Sequence, residues 1–257
     1  MSFNFSGQVA IVTGAGTGIG RAAAVALARA GARVLAVDLQ TAQGEETAAL
    51  ATDCGSDARF VQADVSQSDQ VENFVRVAVD TWGRIDVLMN NAGWQGNIAA
   101  LTDYTDEHFD RVMAINVRGT YLGMKHTLPV MIRQRRGAVV NTGSLASYTG
   151  TRMLAPYTAS KHAVLGLTRA TALEVAREGI RINAVCPGPV DTAMLRDIEA
   201  AQAPGQADAL RQRRSASIPD GRYASPEEVA NLMLYLASDL ASHITGQGIQ
   251  INGGSHG

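Results

Sequence analysis

The sequence predicts an α/β protein built as a doubly wound, seven-stranded parallel sheet with helices on both faces. Three observations point there. Short β-branched apolar runs alternate with longer helical patterns from one end of the 257 residues to the other. The runs are close to continuously apolar, as strands buried on both faces should be. A glycine-rich turn, Thr13 to Gly20, joins the first run to the first helical pattern. Right-handed crossovers then place consecutive strands in one parallel sheet. With no Ser/Pro/Gly-rich linker and no internal repeat, residues 1–257 read as one domain.

The first strand is Gln8 to Thr13, followed by an Ala/Leu-rich helix over Arg21 to Ala30 that Gly31 stops at its C′ position. Strands follow at Arg33 to Asp38, Arg59 to Ala63, Ile85 to Asn90 and Gly137 to Thr142. Helical patterns at Ala42 to Leu50 and Gln67 to Trp82 fill two of the gaps. One long helix begins at Thr105, an N-cap with Asp106 and Glu107 placed to suit the helix dipole. Another runs from Pro156 to Arg177, ahead of a strand at Ile180 to Cys186. Ser225-Pro226-Glu227-Glu228 is a capping box with Pro at N1, and Gly248 to Ile251 is the last strand. Thr192 to Tyr223 breaks the alternation, with Pro204, Pro219 and a basic cluster from Arg211 to Arg214. A solvated surface loop is the plain reading; a lid over a site is the functional one, favoured because the stretch follows a strand's C-terminal end.

Composition excludes several classes of function. The chain is 46% hydrophobic and 18% charged, which allows a large core and rules out disorder. Its net charge of −2 offers no broad footprint for nucleic acid. Two cysteines, Cys54 and Cys186, make neither a disulfide scaffold nor a zinc ribbon. Cys186 ends a buried strand and reads as an inert hydrophobe. His108, His126, His162, His243 and His256 are scattered without HxxH or HExxH spacing, so no metal is expected. The start, MSFNFSGQVAIVTG, lacks a basic n-region, and no apolar stretch approaches membrane-spanning length. The expectation is a soluble cytoplasmic protein that binds neither nucleic acid nor membrane.

Glycines in Thr13-Gly14-Ala15-Gly16-Thr17-Gly18-Ile19-Gly20 permit a tight turn and let backbone N–H groups approach a pyrophosphate at a helix N-terminus. Asp38 ends the second strand at the distance where a carboxylate accepts hydrogen bonds from the adenosine ribose and repels a 2′-phosphate. No Lys or Arg lies within residues 13 to 20, and Leu39 stands where a phosphate clamp would want Arg. Arg21 is the nearest base. The expected cofactor is therefore NAD rather than NADP, in a Rossmann-type site.

With Asn90-Asn91-Ala92-Gly93 ending the fourth strand, the Thr-Gly-x-x-x-Gly-x-Gly spacing resembles the classical short-chain dehydrogenase/reductase (SDR) family, from Gly7 to Gly254. The resemblance implies that Gly14, Thr17, Gly18 and Gly20 line the pyrophosphate turn and that Ile19 packs beneath the nicotinamide. It places Asp64 and Val65 against the adenine, and Asn91, Ala92 and Gly93 along the adenosine. Pro187, Gly188, Val190 and Thr192 would hold the carboxamide end.

Tyr157 and Lys161 are one helical turn apart and share a face. An ordinary phenol titrates near ~10, too high for a base at neutral pH. A cation one turn away favours the phenolate, and a tyrosine so tuned exchanges a proton with an alcohol as hydride leaves its carbon. Ser144, just beyond the fifth strand, is placed to hydrogen-bond the substrate oxygen, with Ser147 as the alternative serine. The resemblance makes Asn116, Ser144, Tyr157 and Lys161 a catalytic tetrad. Lys161 would also bond the nicotinamide ribose, and Asn116 would hold a water that links Lys161 to solvent.

By the same resemblance the substrate pocket takes Trp94, Gln95, Leu145, Ala146, Thr151, Met153, Met194 and Leu195, beside Ser144. These neutral, mainly apolar side chains favour an uncharged secondary alcohol or ketone. Arg152 is the one charge close by. Trp94 is bulkier than the family's usual occupant, and Asn252-Gly253-Gly254 stands where the family often has Asp-Gly-Gly. Arg133, Arg135 and Arg136 close the long helix, where cations suit the dipole; docking of an acidic carrier protein is the alternative. The resemblance implies a homotetramer, paired through the two long helices and the last strand. The reading is an NAD-dependent alcohol dehydrogenase or ketoreductase. The alternatives are an NADPH-dependent 3-oxoacyl-[acyl-carrier-protein] reductase-like enzyme and a non-catalytic dinucleotide-sensing protein.

Overall fold

The computed structural model describes residues 3–255, so His256 lies outside the described residues. Seven strands, β1 (Val9–Thr13), β2 (Arg33–Asp38), β3 (Ala58–Gln62), β4 (Val87–Asn90), β5 (Gly137–Thr142), β6 (Ile180–Pro187) and β7 (Gly248–Ile251), form one sheet. Their order is β3-β2-β1-β4-β5-β6-β7, and every pairing is parallel. Winding reverses between β1 and β4, and an open α/β sheet offers its ligand crevice beyond the strand ends at such a reversal.

The helices are α1 (Gly18–Arg29), α2 (Thr41–Asp53), α3 (Ser68–Trp82), α4 (Asp106–Met113), α5 (Gly119–Gln134), α6 (Ala155–Val175), α7 (Ala193–Gln202), α8 (Ala207–Ser217) and α9 (Pro226–Ala237). Alternate strand residues divide the core into two layers. Ala10, Val12, Val34 and Ala36 pack with Ala23, Ala24 and Leu27 of α1, Ala51 of α2, and Val229 and Met233 of α9. Ile11, Leu35 and Val37 pack on the opposite face with Phe74 of α3, Met131 of α5 and Val175 of α6. Both faces are thus covered by helices, as the apolar runs require.

Local signals act where the sequence places them. Thr105 Oγ1 accepts from His108 N at 3.3 Å at the start of α4. Ser225 and Glu228 close a reciprocal capping box on α9. Gly31, at φ 91°, follows α1 in the left-handed region.

Several boundaries differ from expectation. α1 begins at Gly18, so the end of the glycine turn is already its first helical turn. β4 starts at Val87 because Gln134 takes both backbone groups of Ile85, N at 2.9 Å and O at 2.6 Å. The long helix from Thr105 is not continuous: a π turn over Ala114–Arg118 separates α4 from α5. The stretch after β6 is not an irregular loop but two helices, α7 and α8, parted at Ala203, Pro204 and Gly205.

Candidate active site

The crevice is drawn together by one hydroxyl. Thr13 Oγ1 accepts from Asn91 N at 3.1 Å and Ala92 N at 3.2 Å, tying the end of β1 to the end of β4. Gly14, at φ 63°, packs so closely that a Cβ there would stand 2.7 Å from Ala92 Cα. At Gly20 a Cβ would fall 2.0 Å from the Gly14 carbonyl oxygen, so only glycine permits this approach. Thr17, the N-cap of α1, makes no side-chain cap, and the first turn carries no acid. The N-terminal N–H groups of α1 are therefore not satisfied by a side chain, as an anion-binding helix start requires.

Asp38 sits across this turn. Its carboxylate accepts from Gly16 N at 2.7 Å and Gln40 N at 2.9 Å. Arg21 braces the turn from behind, donating to Gly16 O at 2.9 Å, Thr47 Oγ1 at 3.1 Å and Glu46 at 2.5 Å. Asp64 accepts from Ser66 N at 2.9 Å and Ser66 Oγ at 2.7 Å, so one carboxylate oxygen caps its own turn. Val65 packs on α5, where a Cβ on Gly119 would meet it at 2.8 Å. Ile19 is half-buried against the α1 side of the core.

At the opposite end Gly188 N donates to Ile251 O at 2.9 Å, just past Pro187, and Val190 bridges to Ala224. Thr192 caps α7, and its Cγ2 lies 3.2 Å from where a Cβ on Gly18 would stand. The two ends of the crevice meet there. An uncapped helix start, a cradle that any Cβ would fill and a carboxylate at the end of β2 fit a dinucleotide.

Tyr157 and Lys161 project from α6 toward the same crevice. Lys161 is buried, donates Nζ to Thr142 O at 2.7 Å, and lies 5.6 Å from the Tyr157 ring centre. Burial pulls its pKa from 10.5 down to about 8. Burial also pushes the Tyr157 phenol above its usual range, while the neighbouring Ser144 hydroxyl draws it back. This corrects the expectation of a lowered phenol. In the protein alone desolvation is the larger influence, and Tyr157 is held protonated.

Ser144 is half-buried, and its Oγ accepts from Ala146 N at 3.1 Å. Ser147 is buried and committed elsewhere, accepting from Ser144 N at 3.2 Å and donating to Lys161 O at 2.8 Å. It links the Ser144 turn to α6, whereas Ser144 is the serine beside Tyr157. Asn116, carried by the π turn, is buried. Its Nδ2 donates to Trp94 O and to Ser160 Oγ, each at 2.9 Å, and its Oδ1 accepts from Trp94 N at 2.8 Å. The side chain thus clamps the Trp94 backbone. A Cβ on Gly93 would lie 3.4 Å from Asn116 Oδ1 and 3.5 Å from Lys161 Nζ, so these two tetrad positions meet beside Gly93, while Ser144 neighbours Tyr157. Cys186 is buried below Gly143, and burial raises its thiol pKa.

At the rim, Arg111 of α4 stacks 4.7 Å over the Trp94 ring, with His108 6.0 Å away on a tilted plane. Sequence reasoning did not find Arg111, because its partner is distant along the chain. Gln95 and Leu145 are half-buried, and Met153, at φ 67°, accepts from Ala99 N at 3.2 Å. Met194 and Leu195 stand in the first turn of α7. His126 contacts Ser68 at 3.0 Å, away from the tetrad. Arg135 pairs with Glu178, and Arg136 with Asp239 at 3.1 Å, so two of the three arginines closing α5 answer acids of this chain. Among the described residues no helix is long and apolar enough to cross a membrane.

A crevice of this kind, opening beside a half-buried Tyr157 and a buried Lys161, defines a nicotinamide-dinucleotide oxidoreductase acting on a CH–OH group. The chain belongs to the short-chain dehydrogenase/reductase family: the family model described as enoyl-(acyl carrier protein) reductase matches residues 14–256. It is similar to levodione reductase of Leifsonia aquatica, 38% identical over 97% of this chain and 94% of that protein. It is also similar to the 3-oxoacyl-[acyl-carrier-protein] reductase of Thermotoga maritima, 37% identical over 96% of this chain and 97% of that one. The crystal structure of NAD+-bound xylitol dehydrogenase superposes with a TM-score of 0.94 at 34% identity, covering 97% of this chain and 99% of that one.

Proposed function

We propose that this protein is an NAD-dependent dehydrogenase or ketoreductase that moves a hydride between nicotinamide and a neutral secondary alcohol or ketone, with Tyr157 as acid and base. The observation that carries the reading is the placement of the Tyr157 phenol beside Ser144, with the buried Lys161 ammonium behind it. NAD supplies the hydride acceptor or donor. Ser144 and Tyr157 hold the substrate oxygen. In reduction Tyr157 gives its phenolic proton to that oxygen, and in oxidation it takes the proton back. Lys161 places a positive charge where phenolate develops, and its burial makes that charge more effective than in water. Asn116 fixes Trp94 and Gly93, the floor beside Lys161.

Asp38 supports NAD over NADP, because it stands at Gly16 while Arg21 is engaged behind the turn. The structural neighbour that holds NAD+ supports the same choice. Levodione and xylitol, in the names of two similar proteins, agree with an uncharged substrate. We assign residues 1–257 to one domain, with 192–223 as a lid over the substrate pocket. We assign the protein to the cytoplasm as a homotetramer; the exposed Tyr121 of α5 and Leu173 of α6 support pairing of those helices.

The second reading is an NADPH-dependent 3-oxoacyl-[acyl-carrier-protein] reductase, favoured by the Thermotoga maritima relative. The third, a non-catalytic dinucleotide sensor, leaves the kept Tyr157 and Lys161 without a role. The test is reduced-nicotinamide absorbance as the protein oxidises a panel of secondary alcohols and diols with NAD, with Tyr157→Phe as the blank. Turnover of a subset supports the reading. Turnover of carrier thioesters with NADPH alone replaces it with the second. Silence in both assays with tight dinucleotide binding replaces it with the third. A Tyr157→Phe variant at parental rate refutes the role of Tyr157.

A further inference from the structure

The lid is fastened by charge at a position where an apolar side chain would suffice. The inward face of α7 consists of Leu195, Ile198, Glu199 and Gln202, and Glu199 is only 2% exposed. A carboxylate so buried is costly unless hydrogen bonds and a counter-charge hold it. Glu199 has both. Tyr223 donates its phenol to Glu199 Oε1 at 2.5 Å, and Arg214 Nη1 of α8 approaches the same oxygen at 3.8 Å.

Tyr223, itself buried, lies on the returning root of the lid. Its neighbour Ala224 donates to Pro189 O at 3.0 Å and accepts from Asp191 N at 2.9 Å, closing the two roots on each other. The outgoing root is tied to α8 as well, because Arg211 donates to Asp191 Oδ2 at 2.6 Å and lies 5.3 Å over the Tyr223 ring. α7 is thereby pinned at its start by the Thr192 cap, further along by Glu199, and at its end by Gln202, which accepts from Arg214. Leu195 and Glu199 are one turn apart on one face, so any rotation that frees Glu199 also turns Leu195 away.

We propose that Glu199 and Tyr223 are positioning residues whose bond sets the rotation and depth of α7, and with them the place of Met194 and Leu195 against the substrate. This rests on the reading of Met194 and Leu195 as substrate-facing in the proposed dehydrogenase.

Tyr223→Phe removes the bond and keeps the ring; Glu199→Gln keeps an acceptor and removes the charge. Loss of one hydrogen bond to a charged acceptor is worth about tenfold. Tyr223→Phe is therefore expected to raise KM for the best alcohol about tenfold, with kcat and cofactor Kd within about twofold. Trypsin should cut α8, at Arg211, Arg213 or Arg214, about tenfold faster, and Glu199→Gln should fall between parent and Tyr223→Phe. The double variant should be no worse than the worse single. KM within about twofold of the parent in both single variants overturns the proposal, as does a loss in which KM, kcat and cofactor Kd all worsen together. If the parent turns over none of the panel, the dehydrogenase reading fails on its own, and the trypsin comparison still decides the latch: equal cleavage rates overturn it.

Discussion

Replacing Lys161 by Met is expected to stabilise the fold at neutral pH while turnover is lost. Lys161 is 4% exposed, and burial brings its pKa from 10.5 to about 8. That gap corresponds to roughly 3 kcal/mol by which folding disfavours the ammonium. A methionine of similar length avoids the cost but leaves the Thr142 carbonyl without its donor, which takes back about 1–2 kcal/mol. The variant should be more stable by about 1–2 kcal/mol near neutral pH.

The pH dependence fixes the sign. With the folded pKa below the unfolded one, the unfolded chain binds more protons between about 8 and 10.5, so parental stability rises across that window. The variant has no such group, so its advantage should shrink by roughly 3 kcal/mol and change sign by the top of the window. Urea denaturation of both proteins at pH ~7.5 and ~10.5, monitored by circular dichroism, measures this difference directly. A variant less stable than the parent at the lower pH, with a difference that stays flat to the upper, would show that burial of the Lys161 ammonium costs the fold nothing.

Gly20→Ala should weaken NADH binding at least about hundredfold with the far-ultraviolet spectrum unchanged, because its Cβ meets a backbone carbonyl at 2.0 Å that no rotamer change relieves; fluorescence titration checks it. The parent should prefer NAD over NADP by about hundredfold in kcat/KM, and Asp38→Ala by less than about tenfold, since one carboxylate opposes the 2′-phosphate. Arg181 donates to the carbonyls of Leu236 at 2.6 Å, Ala237 at 3.1 Å and Ser238 at 2.9 Å, where α9 ends. Arg181→Met should lower stability by about 2–4 kcal/mol in urea without altering cofactor affinity.

Features governed by near neighbours are legible in the residues. Strand β1, the cap at Thr105 and the capping box at Ser225 each derive from adjacent side chains, and the structure repeats them. The glycine turn is legible for the same reason, since only glycine accepts the approach of Gly14 to Ala92. Tertiary contacts decide the remainder. Ile85 has every strand propensity, yet Gln134 from α5 claims its backbone. The pattern from Thr105 reads as one helix because a π turn leaves no mark in the order of residues; Asn116 fixes it through Trp94. In the protein alone the Tyr157 phenol is raised rather than lowered, because proximity to Lys161 is visible in spacing and desolvation is not. Likewise Arg21, by position the nearest base to the phosphate turn, is engaged by Gly16, Thr47 and Glu46, partners that its place in the chain does not reveal.

The π turn at Ala114–Arg118 constrains which lengths of chain can evolve here. A π turn accommodates one residue more than an α-helix would in the same span. Deleting that residue would restore a continuous helix and rotate α4 by about 100° relative to α5. Arg111 would swing off Trp94, and Asn116 would lose either the Trp94 backbone or Ser160. Insertions and deletions should therefore be tolerated in the Gly96–Tyr104 segment or after Gln134, but not between Asp106 and Thr120. The spacing from Trp94 to Asn116 is free to drift only in its first half.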